Sequence, residues 1–399
     1  MSSKLFQDLR PAARDLPESG IVELVNAGRM KEGLIPLWVG EGHLPTPAFI
    51  CEAAARSMAA GETFYTWQRG IPELRQALAD YHTRLFARSF DAERFYVTGS
   101  GMQAIQIALQ ALVGFDQEVI IPTPAWPNFA AAAKIAGARV VEIVMHPPGF
   151  NTNVGWKLDL DQLEAALTAQ SRVIFINSPS NPTGWTATRD ELADILSIAR
   201  RHDLWIVADE VYQRFYFGDA PVNGRAASFY DVADEDDKVI FTNTFSKNWA
   251  MTGWRVGWLS APAALGQVIE NLIQFSTSGV PVFVQRAATQ ALINGEDFVK
   301  QQVAAAAATR ITLCDALSQA GGTTFAIPDG AFYLFFAMNG KTGSKQIAHR
   351  LIHEALLGLA PGIAFGNHND NYFRLCFARS AQDINLASDR LTCWLKDNC

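Results

Sequence analysis

The stretch Thr242-Asn243-Thr244-Phe245-Ser246-Lys247-Asn248-Trp249-Ala250-Met251-Thr252-Gly253-Trp254-Arg255 follows directly on an apolar run, Val239-Ile240-Phe241. A run that short, closed by polar residues, reads as a buried strand of a parallel sheet. At its end stand a hydroxyl (Ser246), an amine (Lys247) and, eight residues further on, a guanidinium (Arg255). An amine where an apolar strand ends is partly desolvated, and a neighbouring cation depresses its pKa further. Both effects favour the neutral form, the one able to attack a carbonyl carbon. A lysine is more often a solvated surface charge, so the reading of Lys247 depends on its neighbours.

Upstream, Leu204-Trp205-Ile206-Val207-Ala208-Asp209 is a second apolar run, and it ends on a carboxylate. Burying a carboxylate without a partner costs several kcal/mol. Asp209 therefore needs either a structural cation or a ligand that donates to it. Before it, Arg172-Val173-Ile174-Phe175-Ile176-Asn177 is a third strand, leading into Ser178-Pro179-Ser180-Asn181-Pro182-Thr183-Gly184. Thr188-Arg189-Asp190-Glu191 is a capping box opening a helix that runs to about His202. Strand, helix and strand in succession make a parallel crossover.

Phe95-Tyr96-Val97-Thr98-Gly99-Ser100-Gly101-Met102-Gln103-Ala104 reads as strand, glycine turn and helix. That helix has Met102, Ile105, Ala108, Leu109, Leu112 and Val113 on its apolar face, with glutamines opposite. Its N-terminus, at Ser100 and Gly101, suits a phosphate. The turn also fits G-x-G-x-x-A, but a lone match is weak, and a nicotinamide site leaves Lys247, Asp209 and Asn181 without a task. Glu118-Val119-Ile120-Ile121-Pro122 leads to Trp126, held in a loop by Pro122, Pro124 and Pro127. Asn181, Asp209 and Lys247 thus all fall at the C-terminal ends of parallel strands, where open α/β sheets bind ligands, and Ser100, Gly101 and Trp126 reach the same edge.

The chain has 399 residues, 49% hydrophobic and 18% charged, which fits a globular enzyme of two packed domains. A net charge of −7 argues against a nucleic-acid surface. The five cysteines are scattered and lack a C-x-x-C pair, pointing to a reducing compartment and no zinc site. The first residues carry no apolar core of signal-peptide length and no apolar span is long enough for a bilayer, so the expected location is cytoplasmic, with no membrane partner. Residues 10–29, with Pro11, Pro17 and Gly20, read as an irregular arm.

Four separated motifs, Ser246-Lys247, Gly253-Trp254-Arg255, Asn181-Pro182-Thr183-Gly184 and Asp209-Glu210-Val211-Tyr212, together resemble the class I/II pyridoxal-phosphate aminotransferases of fold type I. The resemblance runs from about Gly40 to Arg374. It implies a three-layer α/β/α large domain with a mostly parallel sheet and a smaller α+β domain built from both chain ends. The expected bounds are an arm and part of the small domain at 1–45, the cofactor domain at 46–288 and the small domain at 289–399.

The resemblance also assigns roles. Lys247 would hold pyridoxal 5′-phosphate as a Schiff base and move the α-proton, and Asp209 would keep the pyridine nitrogen protonated. Tyr212 and Asn181 would bind the phenolic oxygen, Trp126 would stack on the ring, and the Asn181-Pro182 peptide would be cis. Ser100, Gly101, Met102, Ser246 and Arg255 would surround the phosphate, joined by Tyr65 from the second subunit of a homodimer with shared sites. Arg374 and Gly40 would fix the substrate α-carboxylate, Arg374 being preferred to the nearby Arg379. The implied activity is transamination between an L-amino acid and a 2-oxo acid, with β-elimination or cyclisation on the same scaffold as the alternative.

Two departures concern the substrate. Gly40-Glu41-Gly42-His43-Leu44 stands where relatives commonly read Gly-Glu-Pro-Asp-Phe, and Met102 stands where some aspartate-using relatives carry lysine. An apolar side chain at 102 offers no charge to a distal carboxylate. Trp38, His43, Trp67 and Arg69 are further candidates for shaping the pocket.

Overall fold

The protein is described by a computed structural model covering residues 4–149, 155–218 and 223–398. A seven-stranded sheet forms its centre, in the spatial order Phe95–Thr98, Gly257–Ser260, Val239–Thr244, Trp205–Asp209, Ser171–Asn177, Glu118–Thr123 and Arg139–Val144. Only Gly257–Ser260 runs against the others. Alternation along single strands shows why the sheet carries a layer on each face. Val173 and Phe175 enter one apolar core with Ile105, Leu109 and Ile273, whereas Ile174 and Ile176 enter the other with Leu192, Ile195 and Trp249. A strand buried on both sides is written as a continuous apolar run, as the sequence reading assumed.

The crossover helix is Arg189–Arg201, and both halves of its capping box form. The helix after the glycine turn, Gly101–Leu112, is buried more widely than an amphipathic pattern requires. Gln103 does not lie on a solvated face: its Oε1 accepts from Gly99 N, while its Nε2 donates to Ser276 Oγ at 3.0 Å and Thr277 Oγ1 at 2.9 Å. A long amide that satisfies its own polar atoms is read from composition as solvated, yet here it closes the turn.

A second, antiparallel sheet is ordered Ala360–Pro361, Tyr372–Cys376, Tyr333–Met338 and Thr323–Phe325. The helices Glu296–Ala320 and Ala381–Asn398 pack against each other beside it. Ile35–Pro36 pairs in parallel with Leu357–Gly358, which ties the start of the chain to its end. The arm is not irregular throughout. Gly20–Gly28 is a helix, with Ser19 Oγ accepting from Val22 N at 3.4 Å and with Leu24 and Gly28 buried. Pro17 precedes this helix and Gly20 is its first residue, so neither marks an absence of structure. The Asn181-Pro182 peptide is cis, as are Thr123-Pro124 and Ser178-Pro179.

Candidate active site

Three neighbouring strands deliver the central side chains in register. Asn177 aligns with Asp209 and Asp209 with Thr242, so the polar ends of three apolar strands lie side by side. Asn177 Nδ2 donates to Asp209 O at 3.1 Å, and Asn177 Oδ1 accepts from Asn181 N at 2.8 Å. Those two bonds fix the Asn181 turn against the end of the Asp209 strand.

Asp209 is 2% exposed, and its Oδ1 is buried with no hydrogen-bond partner. Burial pushes its carboxyl up to about 7, while the Val211 amide and the Lys247 charge oppose the shift. Lys247 follows the Val239–Thr244 strand and donates from Nζ to Gly40 O at 2.7 Å. Burial brings its amine down to about 8, and among nearby charges Arg374 lowers it while Cys376, Glu41 and Asp209 raise it. The cation acting on this amine is therefore Arg374, not the expected Arg255. Arg255 instead donates from Nη1 to Thr252 O at 2.6 Å.

Arg374 is 2% exposed in the Tyr372–Cys376 strand. Its Nη1 donates to Asn181 Oδ1 at 2.8 Å and its Nη2 to the Trp38 carbonyl, while Nε has no partner. The guanidinium lies 4.5 Å from the Tyr333 ring centroid and 4.9 Å from that of Phe365, which holds its plane. Tyr333 Oη is also 2.6 Å from Tyr212 Oη, and the two rings meet edge-on.

The glycine turn is built for close approach. Ser100 Oγ accepts from Gln103 N at 3.0 Å and caps the helix. A Cβ on Gly257 would sit 2.6 Å from Gly101 N and 2.7 Å from Ser100 C, so only glycine lets that strand pass behind the turn. Ser246 Oγ lies 2.9 Å from Thr244 Oγ1 beside it. Trp126 begins the Pro127–Ile135 helix and packs edge-on against Phe129.

Most of these border one cleft of about 460 Å³. It is lined by Gly40, Gly101, Met102, Trp126, Asn181 and Asp209, and also by Tyr212, Ser246, Lys247, Arg255 and Arg374. Ser100 stands behind the wall as the helix cap. Tyr65 is 93% exposed, beside exposed Phe64 and Trp67, away from the cleft of its own chain. Of the other candidates, Trp38 lines the cleft, whereas His43 and Trp67 do not. Arg69 pairs with Glu93 and Glu270, and Arg379 lies 3.9 Å from Asp383. Sequence reasoning missed Tyr333, Asn177 and the Gly20–Gly28 helix, whose Ile21, Val22 and Val25 line the cleft. Asn177 was visible as a polar strand end; nothing in the sequence shows which way the Tyr333 phenol points.

The family model for aminotransferase class I and II matches residues 33–391. The chain belongs to the class I and II aminotransferases. Among its relatives, this aminotransferase is 31% identical to an aspartate aminotransferase of Pyrococcus horikoshii, with 94% of each chain covered. It is 33% identical to aromatic-amino-acid aminotransferase 2 of Thermococcus litoralis, over 95% of this chain and 96% of the relative. The crystal structure of aspartate aminotransferase from Thermotoga maritima superposes with a TM-score of 0.88 at 30% identity, over 97% of this chain and 100% of that one. Amino-group transfer, rather than elimination or cyclisation, is the activity for which these relatives are named. No helix among the described residues is long and apolar enough to cross a membrane.

Proposed function

We propose that this aminotransferase moves an amino group from an L-amino acid to a 2-oxo acid with pyridoxal 5′-phosphate held in the cleft. The observation that carries this reading is the buried, partnerless Oδ1 of Asp209 in the same closed space as the depressed amine of Lys247. A pyridine N–H would supply the missing donor, and its positive charge would keep Asp209 ionised. The amides at Gly101 and Met102, the Ser246 hydroxyl and the Arg255 guanidinium suit the phosphate, with Ser100 shaping the turn. Tyr212 and the Asn181 amide suit the phenolic oxygen, and Trp126 suits the ring face. When bound, the group supplies an electron sink for the pair left as the substrate Cα–H bond breaks.

The chain does the rest. Arg374, oriented by Asn181, Trp38 and Tyr333, presents a planar fork to the α-carboxylate. Gly40 keeps its carbonyl toward Lys247. The neutral amine of Lys247 takes the proton from Cα and returns it at the other end of the transfer. Lys247→Ala should abolish reaction with any amino donor, and borohydride trapping should label Lys247 in the wild type. Turnover by the variant at the wild-type rate, or a label on another lysine, refutes the assignment.

Tyr65, exposed beside Phe64 and Trp67, supports a homodimer in which it reaches the partner's phosphate; sedimentation of an active monomer would remove that role. The expected boundary at 288/289 falls within the Val282–Asn294 helix, so we set the domain division at Gly295 instead. Buried, unpaired Cys314 and Cys376 support a reducing, cytoplasmic location.

A further inference from the structure

We propose that the cleft carries an apolar side-chain subsite, so that the amino donor is a neutral amino acid of leucine, methionine or phenylalanine size rather than aspartate or glutamate. This rests on the transamination reading above. The subsite lies between two surfaces. One is the Gly20–Gly28 helix, which turns Ile21, Val22 and Val25 to the cleft; the other is made by Met102, Ile105 and Trp126.

The helix is anchored on its other side. Leu24 and Gly28 are buried, and Glu23 pairs with Lys345 Nζ at 2.7 Å. A Cβ on Gly28 would lie 3.1 Å from Cζ3 of the Trp38 ring, so the indole sits directly against the helix backbone. The carbonyl of the same Trp38 accepts from Arg374. The wall therefore runs without a break from the carboxylate clamp to the helix. Across the cleft, Met102 Sδ is 3.7 Å from Asn128 Nδ2, which holds the thioether in place.

Charge decides against an acidic donor. Among the described residues of this chain's lining, Lys247, Arg255 and Arg374 already have tasks, leaving Arg29 and Glu41 as the other charged side chains not facing the cofactor. Arg29 caps the outer end of the helix and is exposed, where water screens an ion pair. Glu41 Oε2 accepts from Thr252 Oγ1 at 3.1 Å, and its carboxylate would repel another. A distal carboxylate drawn between Val25 and Met102 would lose its hydration without a buried cation in return. An aliphatic or aromatic side chain gains from the same surroundings.

The test uses the holoenzyme with pyruvate as acceptor. Leucine, methionine and phenylalanine should exceed aspartate and glutamate in kcat/KM by about 100-fold. Binding measured by calorimetry should favour 4-methylpentanoate over glutarate by about tenfold or more. Val25→Ala should lower kcat/KM for leucine about tenfold, chiefly through KM, and leave alanine within about twofold, because a methyl group does not reach the helix. Val25→Thr, of equal size, should show the same selectivity loss without a packing defect. Aspartate or glutamate matching leucine, or Val25 variants that lower alanine and leucine alike, would overturn the proposal. If no amino acid donates at all, the transamination reading falls, while the ratio of the two carboxylic acids still decides the subsite.

Discussion

Asp209→Asn, studied in protein freed of cofactor, should stabilise the fold at pH 8 and leave it unchanged near pH 4. The folded carboxyl titrates at about 7 because it is buried, against 3.8 as its ordinary value. Below pH 4 both folded and unfolded chains hold the proton, so wild type and variant are alike. Between pH 4 and 7 the unfolded chain has released it and the folded chain has not, so wild-type stability falls as pH rises. At about 1.4 kcal/mol per pH unit the full cost is at most about 4 kcal/mol above pH 7. Relaxation around the site reduces this to about 2 kcal/mol. For a chain of 399 residues that corresponds to about 2–3 °C in Tm. Lys247 stays in both proteins, and Asp209 acts on it less than Cys376, Arg374 or Glu41 does. Differential scanning calorimetry of both proteins from pH 4 to 8 reads the effect. Saturating pyridoxal phosphate should then reverse it, raising the wild-type Tm more than that of the variant, because the ring N–H would partner Oδ1. A variant that melts at or below the wild type at pH 8, or a difference independent of pH, would refute the reasoning.

Two further outcomes follow from the same geometry. The amine of Lys247, lowered to about 8, should react with an aldehyde at a rate that levels off above pH 8, whereas surface lysines keep gaining reactivity toward pH 10 and beyond; competitive labelling with mass mapping checks this, and a Lys247 profile matching the surface lysines counts against a buried amine. Gly257→Ala would drive a methyl into Gly101 N and Ser100 C, which are backbone atoms and cannot rotate away. A loss of about 1–3 kcal/mol in denaturant unfolding, together with weaker pyridoxal-phosphate binding, is expected; a change under about 0.5 kcal/mol would mean that the turn is free to shift.

Much of the cleft was legible because its residues sit where short apolar runs end. Lys247, Asp209 and Asn181 are polar punctuation after strands, and that position alone places them at one edge of a parallel sheet. The glycine turn was equally plain, although the burial of Gln103 was not, since a glutamine's role depends on partners more than 170 residues away at Ser276 and Thr277. The arm was read as irregular because its proline and glycine were given more weight than the apolar pattern of a nine-residue helix, about two and a half turns and too short to stand out. Tyr333 was passed over because a strand's alternation tells which face a side chain takes, not what waits there.

By itself, then, the order of residues determined the layered α/β architecture, the strand-end chemistry and the family. Those depend on local periodicity and on which residue follows which. Tertiary structure alone decided that Arg374 rather than Arg255 bears on Lys247, that Tyr333 joins Tyr212 to Arg374, and that the arm helix and Met102 line one cleft. Each of these is a meeting of segments separated by scores to hundreds of residues, and electrostatics and packing act through distance in space, which no spacing along the chain encodes.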